Sequence, residues 1–245
     1  MGAGVLHTPQ GRRLAYDRTG GDGPGVVFLG GFRSDKEGSK ALHLEAWAQA
    51  NGRAFLRFDY SGHGSSSGDF EEGCIGDWAE DAAAALEALT EGPQVLVGSS
   101  MGGWIALLLA RARPERVAAL VGIAAAPDFT RRFWEGLDDD QRARLMRSGR
   151  LEVPSDYAPE PYVFTRRLIE DGARQSVLKA PLRLACPVRL LQGTEDTDVP
   201  VGAQMALFGH LEAADSRLTL VRGADHRFSD PACLALLTAT IEALG

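Results

Sequence analysis

Short apolar runs alternate along this chain with longer stretches in which apolar residues recur every three to four positions. The first signature belongs to buried strands and the second to amphipathic helices. Two strands near Gly4–His7 and Arg13–Arg18, joined by Thr8-Pro9-Gln10-Gly11, open the chain as a hairpin. A glycine-rich loop, Gly20–Gly25, then delivers the apolar run Val26–Leu29. Helix Lys40–Ala50, strand Arg53–Phe58, alanine-rich helix Ile75–Leu89 and strand Val95–Val97 follow in order. An apolar helix through Ile105–Ala110 and a strand over Val117–Ile123 complete the first half.

The rhythm breaks near Ala126-Pro127. To about Ala185 the chain is charged, with Pro154, Pro159 and Pro161 and scattered aromatics. Alternation resumes with strand Val188–Leu191, a helix near Gly202–Leu211, strand Arg217–Val221 and a last helix from Ala232. Strands alternating with helices predict an α/β protein whose mostly parallel central sheet is flanked by helices on both faces. Residues 1–126 and 186–245 read as two parts of one core. Residues 127–185 read as an insertion of short helices between strands six and seven, and Asp138-Asp139-Asp140 within it as a solvated turn or helix start.

Composition narrows the function. At 245 residues the chain suits one large α/β domain carrying such an insertion. A net charge of -7 speaks against nucleic-acid binding, which wants a basic face. Cys74, Cys186 and Cys233 are scattered thiols, a pattern of reducing compartments and not of a disulfide framework. No basic flank leads into an apolar core at the N-terminus, and no apolar run is long enough to suggest a membrane span. The expectation is a soluble cytoplasmic protein.

The chemistry concentrates at Val95-Leu96-Val97-Gly98-Ser99-Ser100-Met101-Gly102-Gly103-Trp104. A strand enters Gly-x-Ser-x-Gly and an apolar helix leaves it, which is the arrangement of a nucleophile elbow with Ser100 at its tip. Gly64-Ser65-Ser66-Ser67-Gly68 fits the same spacing, but neither strand nor apolar helix abuts it, so it reads as a polar loop. A serine hydroxyl needs a base. Of the histidines, His7 lies beside the first strand, His43 on a helix, His63 in the polar loop and His210 near a helix end. His226 alone follows the last strand, through Arg222-Gly223-Ala224-Asp225, at the carboxyl edge of the sheet where α/β proteins bind ligands. Asp196, three residues beyond Gly193 in Gly-x-x-Asp-x-x-Val-Pro, is the expected acid, with Asp198 and Glu195 as neighbours in competition. The chain order Ser, Asp, His is shared with one of the known triad arrangements. For the oxyanion, the expected donors are the backbone N–H of Met101 and that of Phe32, just past Gly30-Gly31. No metal or organic cofactor is called for.

With these residues in hand, the chain resembles the α/β-hydrolases, and within them a branch of acyl-glucuronide esterases and palmitoyl-protein thioesterases with bacterial relatives. The likeness lies in Gly38-Ser39-Lys40-Ala41-Leu42, in Arg57-Phe58-Asp59-Tyr60-Ser61-Gly62 and in Gly92–Trp104. It continues in Arg113-Pro114-Glu115, Cys186–Leu191 and Asp225-His226-Arg227. The resemblance implies the α/β-hydrolase fold, a cap formed by residues 127–185, and a triad of Ser100, Asp196 and His226. It implies a small-molecule acyl ester or thioester substrate, or an S-acylated protein. The cap and the lack of an organellar transit segment depart from the mitochondrial members.

Substrate contacts are the least legible. Phe129, Phe133, Trp134, Tyr157, Tyr162 and Phe164 either pack the insertion onto the sheet or line a pocket for an acyl chain or aromatic ester. Phe129, Phe133, Trp134 and Arg33 are the expected contacts. Lys36, Arg131 and Arg132 are the other cations that could meet a substrate carboxylate, against the plain alternative of surface solvation. The reading is a serine hydrolase of esters or thioesters. A catalytically silent receptor or scaffold of the same fold is the alternative, and within enzymes a serine peptidase or a lactonase.

Overall fold

A hairpin forms one edge of the sheet. In the computed structural model, which describes residues 2–154 and 161–244, β1 (Gly2–His7) pairs antiparallel with β2 (Arg13–Thr19). β2 in turn runs antiparallel to β4 (Arg53–Phe58). All further pairings in this sheet are parallel and join β3 (Asp22–Leu29), β5 (Gln94–Ser99), β6 (Val117–Ile123), β7 (Val188–Gly193) and β8 (Ser216–Val221). The strand order is β1-β2-β4-β3-β5-β6-β7-β8.

Because successive side chains on a strand point to opposite faces, these near-continuous apolar runs feed two cores. Val26 and Phe28 of β3, with Val95 and Val97 of β5, pack with Ala41 and Leu44 of α1 (Ser39–Ala50) and Leu237 of α8 (Pro231–Glu242). Val27, Leu29 and Leu96 pack on the other face, with Trp78 of α2 (Ile75–Leu89), Trp104 of α3 (Met101–Ala112) and Leu207 of α7 (Val201–His210). Each fully buried Val, Leu or Phe contributes about 1.5–3 kcal/mol of transfer free energy.

The insertion carries α4 (Phe129–Gly136), α5 (Asp139–Ser148) and α6 (Arg166–Arg174). The acidic tract is a helix start. Asp138 caps α5 by accepting from the Gln141 backbone N–H, while the Gln141 side chain returns to the Asp138 N–H, and Gly149 closes the helix in the left-handed region. The insertion is not made of short helices alone. Arg150–Val153 and Tyr162–Thr165 form an antiparallel ribbon, with Leu151 opposite Phe164. Four alternating residues per strand are too few to stand out against a charged background. Among the described residues, no helix is long and apolar enough to cross a membrane.

Candidate active site

Ser100 sits at the end of β5, between the strand and the first residue of α3, with φ 54 and ψ -116. A non-glycine residue at positive φ is strained. The turn is held by the surrounding backbone: Ser100 N–H donates to Ile123 O of β6 at 2.9 Å, and Ser100 O accepts from Gly103 and Ala126. Gly102 is required by close approach, since a Cβ there would stand 2.6 Å from Gly30 O. The helix therefore starts hard against the end of β3. The Gly30-Gly31-Phe32 loop runs alongside, and a Cβ built on Gly31 would lie 3.6 Å from Ser100 Cβ. Among the described residues no protein acceptor takes the N–H of Phe32 or of Met101.

β7 and β8 lie next to each other, Gly193 opposite Val221, and their trailing loops carry the other two residues. His226 Nδ1 lies 3.0 Å from Asp196 Oδ1 and 2.9 Å from Oδ2. Gly193 permits this meeting, because a Cβ at that position would stand 2.6 Å from the Ala224 carbonyl carbon and 3.0 Å from Asp225 O. Asp196 is buried. Burial pushes its carboxyl upward, but the bond from His226, the Val199 N–H and the Gln192 amide together hold it below the usual carboxylate range. The Asp198 N–H also donates to Oδ1. Asp198, the competing acid, approaches the opposite ring nitrogen, with Oδ2 3.7 Å from His226 Nε2. Of the other histidines, His63 is enclosed by Tyr60, Phe70 and Trp78, and His210 bonds to Ala180 O.

Ser100, Asp196 and His226 all lie at or beyond the carboxyl ends of parallel strands, on the rim where this sheet architecture exposes its loops. The serines of the second Gly-x-Ser-x-Gly match act as braces. Ser66 Oγ accepts from Ala15 N–H and donates to Asp59 O, and Ser67 Oγ accepts from Arg13 N–H.

The insertion meets this rim through Phe32. Its ring contacts Phe70 at 4.8 Å, Phe129 at 5.5 Å, Phe164 at 5.5 Å, Tyr162 at 5.9 Å and Trp78 at 6.0 Å between centroids. Phe133 stacks on Phe164 at 3.7 Å. Trp134 packs with Leu137, Leu145 and Leu151 inside the insertion and lies under the Arg142 guanidinium. Arg33 lies over Phe70 and donates to Pro161 O at 2.9 Å. Lys36 pairs with Asp17 and Glu37, and Arg131 with Glu135. Tyr157 falls outside the described residues.

Gln192 is a bracing residue of this site that the periodicity hides. Fully buried, its amide spans Asp196 Oδ2, Gly193 O and Val199 O at 2.9–3.0 Å and so fixes the acid loop. The available signal is an amide side chain directly after the apolar pair Leu190-Leu191 at a strand end.

Fold and rim together define a hydrolase: residues 26–233 match the profile of the Alpha/beta hydrolase family, and the chain belongs to that family. Among its relatives is the mitochondrial palmitoyl-protein thioesterase ABHD10. The rat protein is 38% identical over 98% of this chain and 81% of its own length, and the human protein 37% identical over 98% and 78%. A putative hydrolase from Agrobacterium vitis superposes with TM-score 0.95 at 42% identity, covering 99% of this chain and 98% of the other. Mouse ABHD10 superposes at 0.93 with 35% identity, covering 100% and 98%.

Proposed function

We propose that the protein is a serine hydrolase of carboxylic esters and thioesters, acting through an acyl-enzyme on Ser100. The observation that carries this is the Asp196–His226 pair at the same rim as the strained Ser100 turn. Ser100 Oγ attacks the acyl carbon while its proton passes to His226 Nε2. Asp196, on Nδ1, sets the tautomer and stabilises the imidazolium. The carbonyl π electrons move onto oxygen, where the N–H groups of Met101 and Phe32 receive the charge, each such donor being worth about a hundredfold or more in turnover. The C–O or C–S bond then breaks, and the imidazolium gives its proton to the departing alkoxide or thiolate. A water molecule, deprotonated by His226, attacks the acyl-enzyme, and collapse returns the proton to Ser100 and frees the acid.

The described residues of the 127–185 insertion act as a cap over this rim. The rings of Phe129, Phe133 and Phe164, gathered around Phe32, offer an apolar wall suited to an acyl chain. The relatives named palmitoyl-protein thioesterases support S-acyl substrates, including S-acylated protein. Three free, buried thiols suit a reducing compartment such as the cytoplasm.

Turnover of an S-acyl peptide, an acyl-CoA and a p-nitrophenyl ester by the wild type and Ser100→Ala tests the reading. Ser100→Ala is expected to keep its thermal midpoint, lose turnover by about a thousandfold or more and lose labelling by a fluorophosphonate. Near-full hydrolysis by that variant would overturn the mechanism.

A further inference from the structure

Lys40, from the Gly38–Leu42 block that the triad leaves unexplained, reaches from the first turn of α1 to the loop bearing His226. Its ammonium donates to the backbone carbonyl of Arg227, the residue immediately after the histidine. Ser229 Oγ donates to the same carbonyl at 2.8 Å. The rest of that loop is clamped at either side. Glu195 N–H donates to Ala224 O, Asp225 Oδ1 accepts the Phe228 N–H at 3.0 Å, and Phe228 is fully buried with φ 50. Between these clamps, the Arg227 carbonyl is the point at which α1 fixes the loop by a side chain.

We propose that Lys40 is a positioning residue: through the Arg227 carbonyl it holds the loop so that the His226 imidazole stays within reach of Ser100. The inference rests on the reading of His226 as the base. Positioning has leverage here, because a displacement of about 1 Å in a catalytic group costs on the order of a hundredfold in rate.

Burial draws the Lys40 ammonium down to about 8, against the pull of Asp225 and Cys233 and with the help of Arg227. Several other charges around α1 are paired elsewhere, while His43, one turn along the same helix, has a buried Nε2 with no hydrogen-bond partner among the described residues. Lys36 pairs with Asp17 and Glu37, Arg57 with Glu45 and Glu37, and Glu242 of α8 accepts from Trp47. Asp225, Arg227 and Cys233 are thus the ionisable groups that face Lys40 from the loop and from α8. Above about pH 8 the ammonium loses its proton, the charge-assisted bond weakens, and the loop is held less firmly. The expected consequence is a fall in kcat on the alkaline side with little change in KM.

The test measures kcat and KM from pH 6 to 10 for the wild type, Lys40→Met and Lys40→Arg, with Ser100→Ala and His226→Ala alongside. Lys40→Met is expected to lower kcat at least tenfold at pH 7 with KM within twofold. Lys40→Arg, which keeps its charge throughout, is expected to recover most of kcat and to carry it past pH 9 without the wild-type fall. A Lys40→Met enzyme with wild-type kcat and pH profile would overturn the proposal, as would a Lys40→Arg profile that falls with the wild type's. Should Lys40→Met fail to fold, the Lys40→Arg profile decides alone. Activity persisting in Ser100→Ala or His226→Ala would instead overturn the underlying mechanism.

Discussion

His226 presents Nδ1 to both carboxylate oxygens of Asp196, at 2.9 and 3.0 Å, and turns Nε2 toward the side where Asp198 stands 3.7 Å away. The two acids of the loop after β7 therefore stand in different surroundings. Asp196 receives four further constraints from Gln192, Asp198 N–H, Val199 N–H and burial, whereas Asp198 keeps a side chain 37% exposed.

Asp196→Asn is accordingly expected to lower kcat by about a thousandfold to ten-thousandfold, because an amide can stabilise the wrong imidazole tautomer. Asp198→Asn is expected to cost less than tenfold, since its carboxylate is partly solvated and makes no close hydrogen bond to the ring. Steady-state kinetics on one ester separates them; equal losses would show that the acid had been assigned to the wrong residue.

The same pair depends on Gly193. A methyl group there would press into the Ala224 carbonyl, which is backbone and cannot swing aside. Gly193→Ala is expected to destabilise the fold by about 1–3 kcal/mol, the usual cost of overpacking, and to lower kcat by a larger factor than stability alone explains. Urea unfolding and kinetics on the folded fraction measure the two effects. Wild-type values for both would mean that the strand end and the histidine loop have more slack than the 2.6 Å approach implies.

His63 supplies a pH-dependent term in stability. It is 3% exposed within its aromatic enclosure, and burial holds its pKa down to about 4, from the ordinary 6.5. Across that window the unfolded chain binds a proton that the native state refuses, so stability falls as pH falls from about 6.5 toward 4. The full span amounts to about 3 kcal/mol at 1.36 kcal/mol per unit. In His63→Phe this portion of the slope should disappear, as read by denaturant midpoints at pH 7, 5.5 and 4.5. An unchanged slope would assign the acid sensitivity to other groups.

Much of the architecture was legible from the chain. Strand Arg53–Phe58, helix Ile75–Leu89 and strand Val117–Ile123 follow directly from hydrophobic periodicity, because each is long enough for its pattern to rise above its surroundings. β7 runs two residues past the expected Val188–Leu191, through Gln192 and Gly193. A polar residue and a glycine argue locally against a strand, yet pairing to Leu220 and Val221 keeps them in the sheet. The ribbon within the insertion departs from the short helices expected there, and Trp134 packs on Leu145 and Leu151, because neither is decided by nearest neighbours in sequence.

The sequence by itself determined the serine turn, the order of the three candidate residues and the α/β alternation. These are local matters: glycine where a Cβ would collide, apolar residues at strand or helix spacing, and loops after strand ends. Only the tertiary structure decided that Asp196, and not Asp198, holds Nδ1, that Gln192 braces it, and that Lys40 reaches the Arg227 carbonyl. The first and last of these contacts join residues about thirty and nearly two hundred positions apart, and the Gln192 bond, though only four positions long, forms because the loop after β7 folds back on the strand end. Such geometry is set by how strands, helices and loops pack, which no local pattern encodes.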